Sequence, residues 1–242
     1  MLNKLKKIIF ILIHLIAGTL CSFYILYINN NSKKFLIEWW SLRLLKIFNV
    51  KVIVNGNLKK ILSNKNYLIV SNHISWVDIF VINSICPVTF VAKQSVSKWP
   101  FIGWLAKATD TIFIDRNKIC NIKGISRKIE YFLMSKGSIF IFPEGTSTDG
   151  SFVLPFKSNL FQTAINSDSE VLPIVIQYQS NKKFTSAPSY IDDMNLLDSI
   201  FNLIKLDNID AKITILNLMK KDESRKSLAR KTYQKINSLI KN

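Results

Sequence analysis

The sequence predicts an α/β fold: a largely parallel central sheet flanked by helices, carried behind an N-terminal membrane-associated helical segment. Three observations predict it. Short β-branched runs alternate with longer helical stretches from Lys51 onward, several runs are apolar without interruption, and an uncharged stretch, Ile8–Ile28, precedes them all. Strands that alternate with helices assemble into parallel sheets, and strands covered on both faces read as continuous apolar runs.

Ile8–Ile28 reaches about 32 Å as a helix, enough for a hydrocarbon core of roughly 30 Å. A cleaved signal peptide has a shorter apolar region and a small-x-small cleavage site, whereas bulky Phe23, Tyr24 and Tyr27 stand here. The expectation is a retained anchor. Lys4, Lys6 and Lys7 precede the run and Lys33, Lys34, Arg43 and Lys46 follow it, so charge leaves spanning and interfacial arrangements both open. Lys33–Phe48 predicts a helix with a wide apolar face. Trp39 and Trp40 suit a headgroup zone, and a core helix is the alternative. The expected division is residues 1–49 as anchor and interfacial helix, and residues 50–242 as the α/β domain.

Within that domain the strands are expected at Val50–Val54, Tyr67–Ser71, Thr89–Ala92, Thr111–Ile114, Ser138–Phe142, Val171–Tyr178 and Lys212–Leu216. Helices are expected near Val77–Ser84, Lys98–Ala108, Ile119–Lys136, Ser158–Ser167 and Glu223–Lys241. Lys182–Asp210 carries no clear pattern.

Composition narrows the chemistry. The 242 residues are 48% hydrophobic and 20% charged, enough to bury a core and unlike a disordered chain. Two histidines, His14 and His73, and three dispersed cysteines, Cys21, Cys86 and Cys120, exclude multi-histidine and common zinc patterns and a disulfide framework. No metal is expected. The net charge of +17 suits an anionic membrane surface. Nucleic acid is not an expected partner, because no recognised binding motif accompanies the charge.

Active sites in such sheets gather beyond the carboxyl ends of strands. Three expected strands end in polar sequence. The first runs into Asn72-His73 and, five residues after His73, Asp78; a histidine base with a carboxylate partner requires a strand-to-helix turn at that spacing. The second runs into Asp115-Arg116, whose guanidinium fork suits a phosphate or pairs with a neighbouring Asp. The third runs into Pro143-Glu144-Gly145-Thr146, a turn that lets backbone approach a ligand and aims a carboxylate at a substrate hydroxyl or at the groups that position it. Each has a plainer alternative: a surface histidine with Asp78 capping the next helix, a local salt bridge, an ordinary capped loop.

In order, Asn72-His73-x4-Asp78, Ile112-Phe113-Ile114-Asp115-Arg116, Phe142-Pro143-Glu144-Gly145-Thr146 and Val171-Leu172-Pro173-Ile174 resemble the four blocks of the glycerolipid acyltransferases, and among them the 1-acylglycerol-3-phosphate class. The resemblance implies transfer of a fatty acyl group from acyl-CoA or acyl-carrier protein to a lysolipid hydroxyl, with no metal or prosthetic group. In that reading His73 deprotonates the acceptor, assisted by Asp78, and no acyl-enzyme forms. Arg116 holds the acceptor phosphate, Glu144, Gly145 and Thr146 position the glycerol portion, and Asn72 belongs to the substrate-binding set. The Pro173 block shapes the acyl or thioester pocket. Membrane lipids and the lysolipid are the implied partners, with acyl-carrier protein as a further one. The location it implies is the cytoplasmic membrane, with the catalytic domain on the cytoplasmic side where the thioesters are.

Two positions depart from the family pattern: Asp110 stands where glycine is usual, and Ser147 where arginine is usual. Both weaken the case for a phosphate-bearing acceptor. Glu144–Gly150, continuing to Lys157, looks like a bacterial subgroup that includes lyso-ornithine lipid acyltransferases. Lyso-ornithine lipid is therefore the alternative acceptor, and a non-catalytic basic membrane-binding protein is the alternative of another class.

Overall fold

The computed structural model describes all residues except 1, 26, 64, 100, 116–118, 136, 192, 207, 221, 223 and 241–242, and for 2–4 and 119–123 the backbone alone. Two helices lead the chain, α1 (Leu2–Tyr24) and α2 (Asn30–Ile47). The remainder runs β1 (Val50–Asn55), α3 (Leu58–Leu62), β2 (Leu68–Ser71), α4 (Val77–Ile85), β3 (Thr89–Lys93), α5 (Ile102–Ala108), β4 (Ile112–Ile114) and α6 (Ile119–Ser135). It ends with β5 (Ile139–Ile141), α7 (Phe161–Asn166), β6 (Val171–Ser180), β7 (Lys183–Phe184), α8 (Leu196–Ile204), β8 (Ile209–Ile215) and α9 (Arg225–Ile240).

The sheet has the order β1-β8-β6-β2-β5-β3-β4, with β7 folded back on β6. Strands β6, β2, β5, β3 and β4 are mutually parallel. The antiparallel pairing of β6 with β8 reverses the β8–β1 edge. The sheet is thus mostly parallel, as the alternating pattern predicts.

The unbroken apolar runs have a simple cause: successive side chains enter two different cores. From β2, Ile69 joins Val77, Val81 and Ile82 of α4 and Leu44, Leu45 and Phe48 at the end of α2. Its neighbours Leu68 and Val70 join Ile129 of α6, Phe161 of α7 and Leu228 of α9 on the opposite face. All three β2 residues are fully buried, and each contributes about 1.5–3 kcal/mol. Ser71 ends the strand between β5 and β6, so the next residues emerge over the middle of the sheet.

Helix α2 serves two surfaces. Leu44, Leu45 and Phe48 are core, while Phe35, Trp39 and Leu42 are exposed, and the Arg43 guanidinium lies 4.7 Å over the Trp39 ring. Asn29 caps its start by accepting from the Ser32 N–H, and Asn49, at φ 56°, turns the chain into β1. Helix α1 lies against α2 and α5. His14 stacks on Trp40 with ring centroids 4.5 Å apart, and a Cβ on Gly18 would meet the Trp40 ring at 2.7 Å.

The unpatterned region 182–210 resolves into β7, a loop, α8 and the start of β8. Helix α8 stands on the α4 side, where Ser199 accepts from the Trp76 indole at 3.0 Å. Elsewhere the expected helix at 98–108 is shorter, beginning at Ile102 after a 3-10 turn over Gln94–Lys98 and a left-handed Phe101.

Candidate active site

The carboxyl end of β2 carries His73 in a loop and Asp78 in the first turn of α4, the arrangement their spacing requires. Asp78 is fully buried and surrounded by donors. Its Oδ2 accepts from His73 Nδ1 at 2.9 Å and from the main-chain N–H groups of Ile74 and Ser75 at 2.8 and 2.9 Å. Its Oδ1 accepts from the Tyr178 hydroxyl at 2.7 Å. A carboxylate in that position accepts a hydrogen bond from Nδ1–H and so holds the proton on Nδ1, which leaves the lone pair on Nε2. The imidazole stacks on Phe142 at 4.0 Å, which fixes the plane of the ring.

The glycine-turn segment braces this histidine. Glu144 Oε1 accepts from the His73 main-chain N–H at 2.6 Å and Oε2 from that of Leu154 at 2.7 Å. The Thr148 N–H donates to the His73 carbonyl at 2.9 Å. The His73 peptide is thus gripped from both sides by one loop. Glu144 is 2% exposed with both oxygens occupied by backbone, so of its two expected roles the geometry fits the one aimed at positioning groups, here the His73 main chain, and not the one aimed at a substrate hydroxyl. Burial pushes its carboxyl up to about 7, partly offset by the two N–H donors.

A cavity of about 410 Å³ opens beside His73. Gly145, Thr146 and Ser147 line it, with Lys93 from the end of β3 and Tyr190 from the loop after β7. Its lining also includes apolar residues of α4, α5 and α2, Phe80, Leu105 and Trp40, and Ile25 just after α1. Among the described residues, Lys93 supplies the ammonium of this lining, and no group of three His, Cys, Asp or Glu gathers to hold a metal.

Two other expected contacts fall outside the cavity. Asn72 is buried and spends its amide on a strand: Nδ2 donates to the Ile176 carbonyl and Oδ1 accepts from the Ile176 N–H, both at 2.9 Å. It extends the pairing of β2 with β6 by one side chain. Pro173 sits inside β6 opposite Val70, between the Val171–Met219 bridge and the regular β8 ladder that starts at Ile174, and its carbonyl accepts from the Leu216 N–H at 3.0 Å. Arg116 lies outside the described residues; β4 delivers the chain as far as Asp115.

The comparisons with known proteins fit this geometry. The family model described as Acyltransferase matches residues 50–177. The chain belongs to the acyltransferase family. It is 31% identical to a 1-acyl-sn-glycerol-3-phosphate acyltransferase of Neisseria gonorrhoeae, over 72% of this chain and 69% of that one. It is 30% identical to a lyso-ornithine lipid O-acyltransferase of Pseudomonas aeruginosa, over 83% of this chain and 76% of that one. Its fold matches the crystal structure of PlsC, a 1-acyl-sn-glycerophosphate acyltransferase from Thermotoga maritima, with a TM-score of 0.74 at 18% identity, covering 99% of this chain and 93% of that one.

Both departures of this acyltransferase from the family pattern have structural explanations. Asp110 occupies a left-handed position, φ 58°, which accounts for the usual glycine, and Asp is among the residues that tolerate it. Its carboxylate is turned outward to Lys33 of α2 at 2.5 Å and lines no part of the cavity. Its charge is paired with that lysine. Ser147 uses its hydroxyl to bind the Tyr190 carbonyl, so the loop after β7 is fastened where an arginine is usual.

The Glu144 clamp predicts a pH-dependent stability. A carboxyl raised from 4.5 to about 7 in the folded chain gives stability that is full below pH 4.5 and lost as pH rises through 7. Its size is on the order of 3 kcal/mol. Glu144→Gln puts a neutral, non-titrating amide at this position, so its unfolding midpoint relative to wild type should be higher at pH 8 than at pH 5. It should also vary less between pH 5 and 8. A wild-type slope retained in the variant would contradict the assignment.

Proposed function

We propose that this acyltransferase moves a fatty acyl group from acyl-CoA or acyl-carrier protein to the sn-2 hydroxyl of lysophosphatidic acid, giving phosphatidic acid. The observation that carries the reading is a histidine that is oriented by a buried carboxylate and lines a largely apolar cavity of about 410 Å³ among α4, α5, α2 and α1. His73 Nε2 takes the proton of the acceptor hydroxyl as its oxygen attacks the thioester carbonyl carbon. The tetrahedral intermediate collapses, the C–S bond breaks, and the imidazolium returns the proton to the departing thiolate. Asp78 stabilises the imidazolium between the two transfers. Acyl chains suit the apolar lining, and Lys93 within it suits an anionic acceptor headgroup. No metal or prosthetic group is required by this route.

The second reading keeps the reaction and changes the acceptor to lyso-ornithine lipid or another lysolipid. Ser147 favours it, since no guanidinium stands at that position of the lining. Purified protein given each lysolipid with each thioester decides between them. Lysophosphatidic acid turnover supports the first reading, lyso-ornithine turnover alone supports the second, and turnover of neither defeats both.

The membrane is where such an acceptor resides. Leu5–Tyr24 is long and apolar enough to cross it, yet α1 is fastened along its length to the domain. Lys7 donates to the Ile204 and Leu206 carbonyls at 3.3 and 3.1 Å, His14 stacks on Trp40, and Phe23 meets Trp104 edge-on at 4.7 Å. Leu5, Ile9, Phe10, Ile13, Ile16 and Leu20 remain exposed. This favours an interfacial helix with its bare side in lipid over a spanning anchor. Tags on the N- and C-termini should then both be accessible from the cytoplasmic side of intact cytoplasmic-membrane vesicles. Tags on opposite sides would contradict the interfacial placement.

A further inference from the structure

Tyr178 reaches the catalytic pair from the far side of the core. It projects from β6 on the same face as Leu172, Ile174 and Ile176, is 1% exposed, and its hydroxyl donates to Asp78 Oδ1 at 2.7 Å. A core that needed only bulk would be served by phenylalanine, since a buried hydroxyl costs free energy unless it is bonded. Here the hydroxyl occupies the oxygen of Asp78 that His73 does not. The result is a continuous line, Tyr178 Oη to Asp78 to His73 Nδ1.

We propose that Tyr178 is a positioning residue of the acyl transfer: its phenol O–H sets how strongly Asp78 holds His73 while the proton moves onto and off the imidazole. The proposal rests on the reading of the reaction given above. Burial, reinforced by the neighbouring Asp78, keeps the phenol proton in place far above the ordinary tyrosine range, so the group remains a donor. Removing that donor concentrates the carboxylate charge on His73 and favours the imidazolium. A stronger donor does the reverse.

Among the described residues, the other titratable groups that line the cavity or bond the His73 main chain are Glu144 from the loop after β5, Lys93 from β3, Tyr190 from the loop after β7 and Cys21 of α1, beside the hydroxyls of Thr146, Ser147 and Thr148. Glu144 bonds the His73 main chain, not its ring, and its contribution is common to every variant that leaves it in place.

The test is the pH profile of kcat/KM for the full chain in detergent, with wild type, Tyr178→Phe and 3-fluorotyrosine incorporated at position 178. In Tyr178→Phe the acid limb should move up by about one pH unit, and kcat near neutral pH should fall roughly tenfold with both KM values unchanged. The fluorinated phenol, a stronger donor, should move the limb down. Opposite displacements are not expected of a residue that only fills space, which would lower the thermal midpoint and leave the limb in place. Wild-type turnover with an unmoved limb in both variants overturns this proposal alone. If Tyr178→Phe fails to fold, an unmoved limb in the fluorotyrosine protein overturns it by itself. Absence of wild-type turnover removes the reaction reading, and this inference with it.

Discussion

His73→Ala is expected to lower kcat for acyl transfer by at least about a thousandfold while the unfolding midpoint stays within a few degrees of wild type. Loss of a positioned general base costs on the order of 10²–10⁴ in rate. Here the same nitrogen serves twice, taking the acceptor proton and returning it to the thiolate, which places the loss toward the upper end. The fold should survive because the imidazole is partly exposed and its partner keeps other donors: Asp78 Oδ2 retains the Ile74 and Ser75 N–H groups. The Glu144 and Thr148 bonds to residue 73 involve only its main chain and persist in alanine. Kinetics and thermal unfolding of one preparation check both halves. Activity near wild type would remove His73 from the mechanism.

Substitution of Asp78 separates two roles that its position combines. In Asp78→Ala the Ile74 N–H, Ser75 N–H and Tyr178 hydroxyl are left buried without an acceptor, at about 1–3 kcal/mol each. The expected loss, several kcal/mol of stability, is large against the roughly 5–15 kcal/mol of a typical domain, and activity should vanish with the fold. Asp78→Asn keeps a carbonyl oxygen for the loop and presents an amide to the Tyr178 oxygen. It should retain most of the stability and lose about 10²–10³ in kcat, because the charge that steadies the imidazolium is gone. Urea unfolding and kinetics of the two variants give the contrast. Equal stability losses in both would mean that the charge, not the hydrogen bonding, holds the loop.

What was legible in the sequence follows from what is local. The runs around Leu68–Val70 and Ile139–Ile141 announce strands covered on both faces, because adjacent residues enter the two cores. The five-residue interval between His73 and Asp78 implies a strand-to-helix turn, and the turn is there. Expectations were weaker wherever a side chain spends itself on a distant main chain. Asn72 read as a substrate contact, but its partner is Ile176, and nothing in the neighbouring residues announces that β6 lies alongside. Glu144 likewise binds Leu154 and the His73 backbone. Tyr178 lies within a run read only as a core strand. Lys93 was findable, since it ends a strand on the active-site side. Tyr190 was not, because its segment carries no periodicity and is placed by Ser147 and by the Ile74 carbonyl.

The central claim is direct transfer, with His73 activating the acceptor and no acyl group resting on the protein. The measurement that tests it is thiol release from acyl-CoA, or from the acyl-carrier protein if that is the donor used, by purified wild-type protein, with and without lysolipid and with mass analysis of the intact chain. The account predicts that thiol appears only when lysolipid is present, in step with the acylated product, and that the chain keeps its unmodified mass throughout. A stoichiometric burst of thiol without acceptor, accompanied by a chain heavier by one acyl group, would contradict it.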